Sequence, residues 1–148
     1  MKSKTAVWDW FSIYIRLKYA NKKGMAKCYT CGKALPIKDL QAGHAIMGRS
    51  NAVLFNEEIV RPQCQWCNVW LGGNLGVFVQ KLIEENSLEW WEKKQKEGKK
   101  VVMLDLRGLY EKYEILVDDL LITITNPSSL PERWKKHREL LIKKGREK

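Results

Sequence analysis

The sequence predicts an α+β fold: a small metal-stapled ββα core with helices flanking it on the N- and C-terminal sides. Three observations predict it. The four cysteines fall into two CxxC pairs, Cys28-Tyr-Thr-Cys31 and Cys64-Gln-Trp-Cys67. The stretch between the pairs reads as short extended pieces joined by loops. Both ends of the chain carry apolar residues at helical spacing.

Taken in order, residues 5 to about 21 read as a first helix, with Trp8, Phe11, Ile15 and Tyr19 recurring at helical spacing. Thr5 is its expected N-cap and "NKKG" at 21–24 its stop. Arg16, Lys18, Lys22 and Lys23 leave that end basic. The knuckle "CYTCGK" follows, where Gly32 suits a tight turn with positive φ. "ALPIKDLQAGHAI" reads as an irregular extended segment, with His44 near the start or middle of a strand. "MGRSNAVLFNEEIV" is a loop and a return segment, and "CQWCNVWL" opens a helix that Gly72 and Gly73 interrupt. From Asn74, a candidate cap, the chain reads as one long helix or two, with Phe78, Leu82 and Ile83 on the apolar face.

"VVMLDL" at 101–106 offers a short strand, and "LYEKYEILVDDLLITI" fits helix or strand. "NPSSLPERW" is a turn and a helix start, with Ser128 or Ser129 as N-cap and Pro131 in the first turn. A basic amphipathic helix with Trp134, Leu140 and Leu141 closes the chain. The expected organisation is an N-terminal helix over 1–24, a metal-bound core over 25–86 and a mainly helical extension over 87–148.

At 148 residues the chain is expected to be one domain, or one domain with a helical appendage, and is long enough to bury a core. Its formal net charge is +10, which makes a nucleic acid the leading polyanionic partner. Seven tryptophans are many for this length, and a basic protein can also use such rings to stack on unpaired bases. The basic N-terminal stretch is broken by Asp9, Arg16 and Lys18 and lacks a cleavage site, so no signal peptide is expected. No apolar run approaches membrane-spanning length. The expectation is a soluble protein of the cytoplasm of a bacterial host cell, with no membrane partner.

Two CxxC pairs without an export signal are poorly explained as a disulfide framework. One tetrahedral structural zinc held by Cys28, Cys31, Cys64 and Cys67 explains all four thiols. Chance pairs, or a redox dithiol, are the other readings. A knuckle, a hairpin and a helix sharing one zinc form a treble-clef arrangement, too small to be stable by burial alone. On that scaffold His44 on the first strand points at Asn68 in the first helical turn. A histidine there deprotonates water, and a helix residue there holds a divalent cation against a phosphate. His44 as a plain core residue is the rival reading. It is not a zinc ligand, because four cysteines already close the tetrahedron.

The ordered set "FSIYIRL", "CYTCGK", "QAGHAI", "RSNA", "PQCQWCN" and "GGN", over roughly residues 8–78, resembles the NinG (also called Rap) recombination proteins of lambdoid phages. That resemblance implies an HNH, or ββα-metal, endonuclease core, similar to the phage resolvases of the endonuclease VII type. It implies nicking of branched DNA such as Holliday junctions and flaps, with structural Zn²⁺ and catalytic Mg²⁺ or Mn²⁺. By the same resemblance His44 matches the general base and Asn68 the metal-binding helix position. Arg49 and Asn51 match the loop after the catalytic strand. Arg49 is expected on a phosphate oxygen, and Asn51 on DNA or fixing the loop so that a backbone carbonyl orients the His44 ring. Lys33, with Lys27, is expected near the DNA backbone.

Two positions depart from the HNH pattern. Gly43 stands where many such enzymes carry an acidic residue or a histidine as second metal ligand. Glu57, Glu58, Asp39 or water is then the expected substitute. Ile59 stands where many carry the middle asparagine.

Trp66 and Trp70 are expected to pack around the zinc module, and Trp90 and Trp91 in the core or a subunit contact. Lys135, Lys136, Arg138, Lys143, Lys144 and Arg146 form either a solvated face or a DNA-contacting one. Region 101–125 is the candidate homodimer interface. The leading expectation is a structure-specific DNA endonuclease of phage-type recombination. The alternative is a non-catalytic zinc-dependent DNA-binding module.

Overall fold

The computed structural model describes residues 2–146, without the Arg146 side chain, which lies outside the described residues. It is a mixed α+β structure in which helices predominate. Helix α1 is Lys4–Lys18, and its N-cap is Ser3 rather than Thr5, the Ser3 hydroxyl accepting from the Ala6 N–H. It ends at Lys18, before "NKKG". Gly24 instead takes φ +73 in the following turn, and a Cβ there would collide with Ser129.

The expected apolar spacing is shifted by a fraction of a turn. Val7, Trp10, Phe11, Ile13, Ile15 and Leu17 are the buried residues of α1, and Tyr19 is exposed. Wide burial is needed because α1 is covered on several sides. Phe11 packs edge-on to Tyr113 of α5 (Leu106–Leu121) at 5.1 Å and to Phe55 at 5.5 Å. Trp10 meets Trp134 of α6 (Glu132–Arg146) at 4.9 Å.

Two small antiparallel sheets lie against this helical frame. β1 (Met25–Lys27) pairs with β2 (Ala34–Pro36) around the first knuckle. β3 (Leu40–His44) pairs with β4 (Val60–Cys64), with His44 opposite Val60 and Leu40 opposite Cys64. His44 is therefore the last residue of its strand, not an early or middle one. Between β3 and β4 a short helix α2 (Asn51–Leu54) replaces the expected loop. The second cysteine pair runs into a single π-helical turn, Trp66–Trp70, with Leu71 N–H bonded to Trp66 O at 2.9 Å. Gly72 and Gly73, at φ +60 and +98, then release the chain. The next stretch is two helices, α3 (Leu75–Glu85) and α4 (Leu88–Glu97), the second capped by Ser87.

Residues 101–105 form no strand. Their burial does alternate, with Val101 and Met103 almost fully exposed, as the period-2 pattern suggests. No neighbouring strand takes up the ladder; the backbone is held by a side chain, Asn51 Nδ2 donating to Val102 O at 2.9 Å. Residues 106–121 resolve as helix, because Tyr113, Val117 and Leu121 bury one face against α1. That packing uses much of the apolar surface in 101–125, leaving Val101, Met103, Ile115 and Ile122 exposed. Neither Ser128 nor Ser129 caps α6. Their hydroxyls bond to Asn126, and Pro131 O accepts from Trp134 and Lys135 N–H instead. Of the basic residues on α6, Arg138 is engaged internally, donating to Leu121 O and Ile124 O at the end of α5. No described helix is long and apolar enough to cross a membrane.

Candidate functional site

The knuckle is a turn closed by backbone bonds. Cys28 N–H donates to Lys33 O and Gly32 N–H to Cys28 O, both at 2.8 Å, with Gly32 at φ +79 as expected. Cys64 ends β4 and Cys67 sits in the π-turn, so the β3–β4 hairpin carries the second pair to the first. All four Sγ atoms lie within 4.8 Å of one another. Cys31 and Cys64 Sγ are 3.8 Å apart. A tetrahedral zinc with Zn–S of about 2.3 Å sets its S···S edges at about 3.8 Å, so the cluster fits that ion.

The surroundings of the sulfurs point the same way. Cys67 N–H, Asn74 Nδ2–H and the Thr30 hydroxyl lie within 3.4–3.7 Å of Cys64, Cys67 and Cys28 Sγ respectively. Burial disfavours the Cys28 thiolate, but the Thr30 hydroxyl and backbone N–H groups outweigh it and hold the thiol at about 6. Burial, joined by the neighbouring Cys28 and Cys64 thiols, pushes Cys31 up to about 12. Four thiols this close cannot all ionise alone; a divalent cation removes the conflict.

His44 is buried and stacked on Trp8, with ring centroids 5.3 Å apart at 18°. Its Nε2 lies 3.0 Å from Leu54 O. A carbonyl only accepts, so Nε2 carries the proton and Nδ1 keeps its lone pair. Burial lowers the His44 pKa below its usual value; the Leu54 bond opposes this and the Arg49 charge adds to it. The ring is neutral at pH 7. The carbonyl that orients it is thus Leu54's, at the end of α2, and not one fixed by an asparagine at position 59. Ile59 is fully buried in the core.

Asn68 does not face His44 directly. Side chains alternate along β3, so Gln41 and Gly43 share a face opposite to that of Ala42 and His44. Asn68 Nδ2 donates to Gln41 Oε1 at 2.8 Å, and its Oδ1 would be 3.0 Å from a Cβ on Gly43. The fully buried Gln63 covers Gly43. Its Nε2 donates to Gly73 O at 2.8 Å and Thr30 Oγ1 at 3.1 Å, while its Oε1 has no donor. A cleft of about 270 Å³ is lined by Trp8, Gln41, Ala42 and Asn68 among others; His44 does not line it and adjoins it through the Trp8 ring.

Of the remaining expected residues, Arg49 is exposed, takes φ +50 and holds its guanidinium 4.6 Å from the Trp8 ring centroid. Asn51 is occupied within the chain: Oδ1 accepts from Lys4 Nζ and Nδ2 donates to Val102 O. Its place is at the start of the helix whose end orients His44. Lys33 and Lys27 are exposed on the knuckle side.

The substitutes expected for the Gly43 ligand are elsewhere. Glu57 accepts from Tyr113 and Lys112, and Glu58 pairs with the buried Lys94 Nζ at 2.8 Å. Asp39 is exposed at the turn before β3. The side chains of the cleft offer a hard cation amide and hydroxyl oxygens but no carboxylate, and such neutral oxygens alone do not make a magnesium or manganese site.

Trp66 and Trp70 are not packed around the zinc module. They are 61% and 70% exposed, with rings 6.4 Å apart at 30°, on either side of Asn68 in the chain. The π-turn, which sequence periodicity does not announce, turns both outward. Gln63 and Trp8 were also not expected at the site. No sequence signal marks Gln63; periodicity marks Trp8 only as an apolar residue of the first helix.

The family model described as Bacteriophage Lambda NinG protein matches residues 6–120. No curated protein and no solved structure matches the chain.

Proposed function

The chain belongs to the family of the bacteriophage lambda NinG protein, and from that premise we propose that it is a structure-specific endonuclease acting on branched DNA in phage-type recombination. The observation that carries this is the state of His44: its pKa lowered by burial, its Nε2 bonded to Leu54 O so that Nδ1 keeps its lone pair, and its ring stacked on Trp8, which lines a basic cleft. We read the zinc cluster, the β3–β4 hairpin and the following helical turn as an HNH-type treble clef.

In the proposed reaction His44 Nδ1 takes a proton from water, whose oxygen attacks phosphorus. The P–O3′ bond breaks, leaving a 5′-phosphate and a 3′-hydroxyl protonated by solvent. Arg49 meets a phosphate oxygen at the rim of the cleft. A Mg²⁺ or Mn²⁺ ion, when bound, would neutralise charge on the phosphate. In this reading Asn68 is the residue that would meet it. With no carboxylate in the cleft, the ion would depend on DNA phosphates and water for its other ligands. Trp66 and Trp70 offer faces to unpaired bases, Lys33 and the α6 lysines add backbone contacts, and a homodimer would supply two sites to a two-fold junction.

The second reading, a zinc-dependent DNA-binding module without catalysis, is favoured by the missing carboxylate. Divalent-metal-dependent nicking that His44→Ala abolishes while binding persists separates the two.

A further inference from the structure

We infer that the cleft beside His44 is a phosphate site whose principal cation is Arg16, a residue of α1. That the phosphate belongs to a DNA backbone rests on the nuclease reading above. The cleft is lined by Trp8, Ser12, Arg16, Gln41, Arg49 and Asn68, with Leu40 and Ala42 at its base. Two of these are cations and none is acidic.

Arg16 is held as a fixed fork. Nε donates to Ser12 O, and Nη1 to both Ile37 O and Leu40 O, all at 3.2 Å. Nη2 has only a contact of 3.5 Å to the Ser12 hydroxyl. A guanidinium carries five N–H donors, so at least one on Nη2 has no partner. Among the described residues no carboxylate offsets its charge; burial alone pulls the pKa down to about 10, which leaves it a cation at neutral pH. A pre-oriented, partly buried guanidinium with a spare donor and no counter-charge matches a phosphate oxygen.

The surroundings fit the same ligand. Arg49 closes the rim from the loop after β3, over the Trp8 ring. Trp8, which lines the cleft, also stacks on His44, so one indole ring links the phosphate site to the proposed base.

The test is a titration of the zinc-loaded full chain with a thymidine dinucleotide, which has one phosphodiester, without added divalent metal. NMR should show saturable shifts at Arg16 Nε–H and the Asn68 side-chain amide. Arg16→Lys should weaken the affinity about tenfold or more, the worth of one charge-assisted hydrogen bond. Because Arg16 also ties α1 to β3, Gln41→Glu is the second variant. It keeps the acceptor for Asn68, adds a negative charge and should weaken binding comparably at unchanged zinc content. Shifts located elsewhere, or unchanged affinity in both variants, overturn the inference. Dinucleotide binding here by a protein that cuts no DNA leaves the phosphate site standing and removes the nuclease reading. Cleavage undiminished in both variants does the reverse.

Discussion

Oε1 of Gln63 occupies the space that a Cβ on Gly43 would need. Gly43 therefore has a packing role of its own. Gln63 threads over the strand there to reach Thr30 and Gly73, tying β4 to both halves of the zinc module. Gly43→Ala should destabilise the chain by about 1–3 kcal/mol through overpacking. The same change in a Gln63→Ala background should cost much less. Thermal unfolding of the four proteins measures this; an additive cycle would show that the two residues do not compete for space.

Zinc should be present at one ion per chain, and its removal should unfold the knuckle and the hairpin end. The metal-binding free energy is folding free energy for such a module. Chelation followed by amide exchange should show protection lost across β1, β2 and the π-turn. Cys64→Ser should behave likewise; a folded, zinc-loaded Cys64→Ser protein contradicts the four-cysteine assignment.

His44 makes stability pH-dependent with a definite sign. Its folded pKa lies below the unfolded value of 6.5. Just below pH 6.5 the unfolded chain binds the extra proton and the folded chain does not, so stability falls as pH falls through that window. The contribution is fully present above pH 6.5. Denaturant midpoints between pH 7.5 and 5 should drop less in His44→Gln than in wild type; parallel curves would assign the fall to other groups.

Trp66 and Trp70 should matter for DNA and not for folding, since both are mostly exposed. Alanine at either should weaken binding to DNA with unpaired bases by about 1–3 kcal/mol per lost stack, with little change for plain duplex. Equal losses on both substrates, or a lowered melting temperature, would place the rings in a different role.

The chemistry was more legible than the geometry. The cysteine spacing announced the metal cluster because CxxC forces a tight turn whatever surrounds it. Gly32 and Gly72–Gly73 were readable for the same local reason. His44 stood out as the lone histidine between the pairs. What periodicity missed depends on tertiary partners. Residues 101–105 alternate like a strand, but no described strand pairs with them, and the Asn51 side chain holds Val102 O instead. Residues 106–121 became helix because α1 needed covering. The outward turn of Trp66 and Trp70 follows from a π-turn between Cys67 and the glycines. Arg16 looked like part of a basic helix end; its place in the cleft needed β3 beside α1.

The most direct measurement is cleavage of a labelled four-way junction, a 5′ flap and plain duplex in Mg²⁺ or Mn²⁺ by wild type and His44→Ala. A nuclease using His44 as base nicks the branched substrates, leaves 5′-phosphates, spares plain duplex and loses cutting, but not binding, in the variant. Binding by both proteins with cutting by neither contradicts it, and leaves a zinc-dependent DNA-binding module.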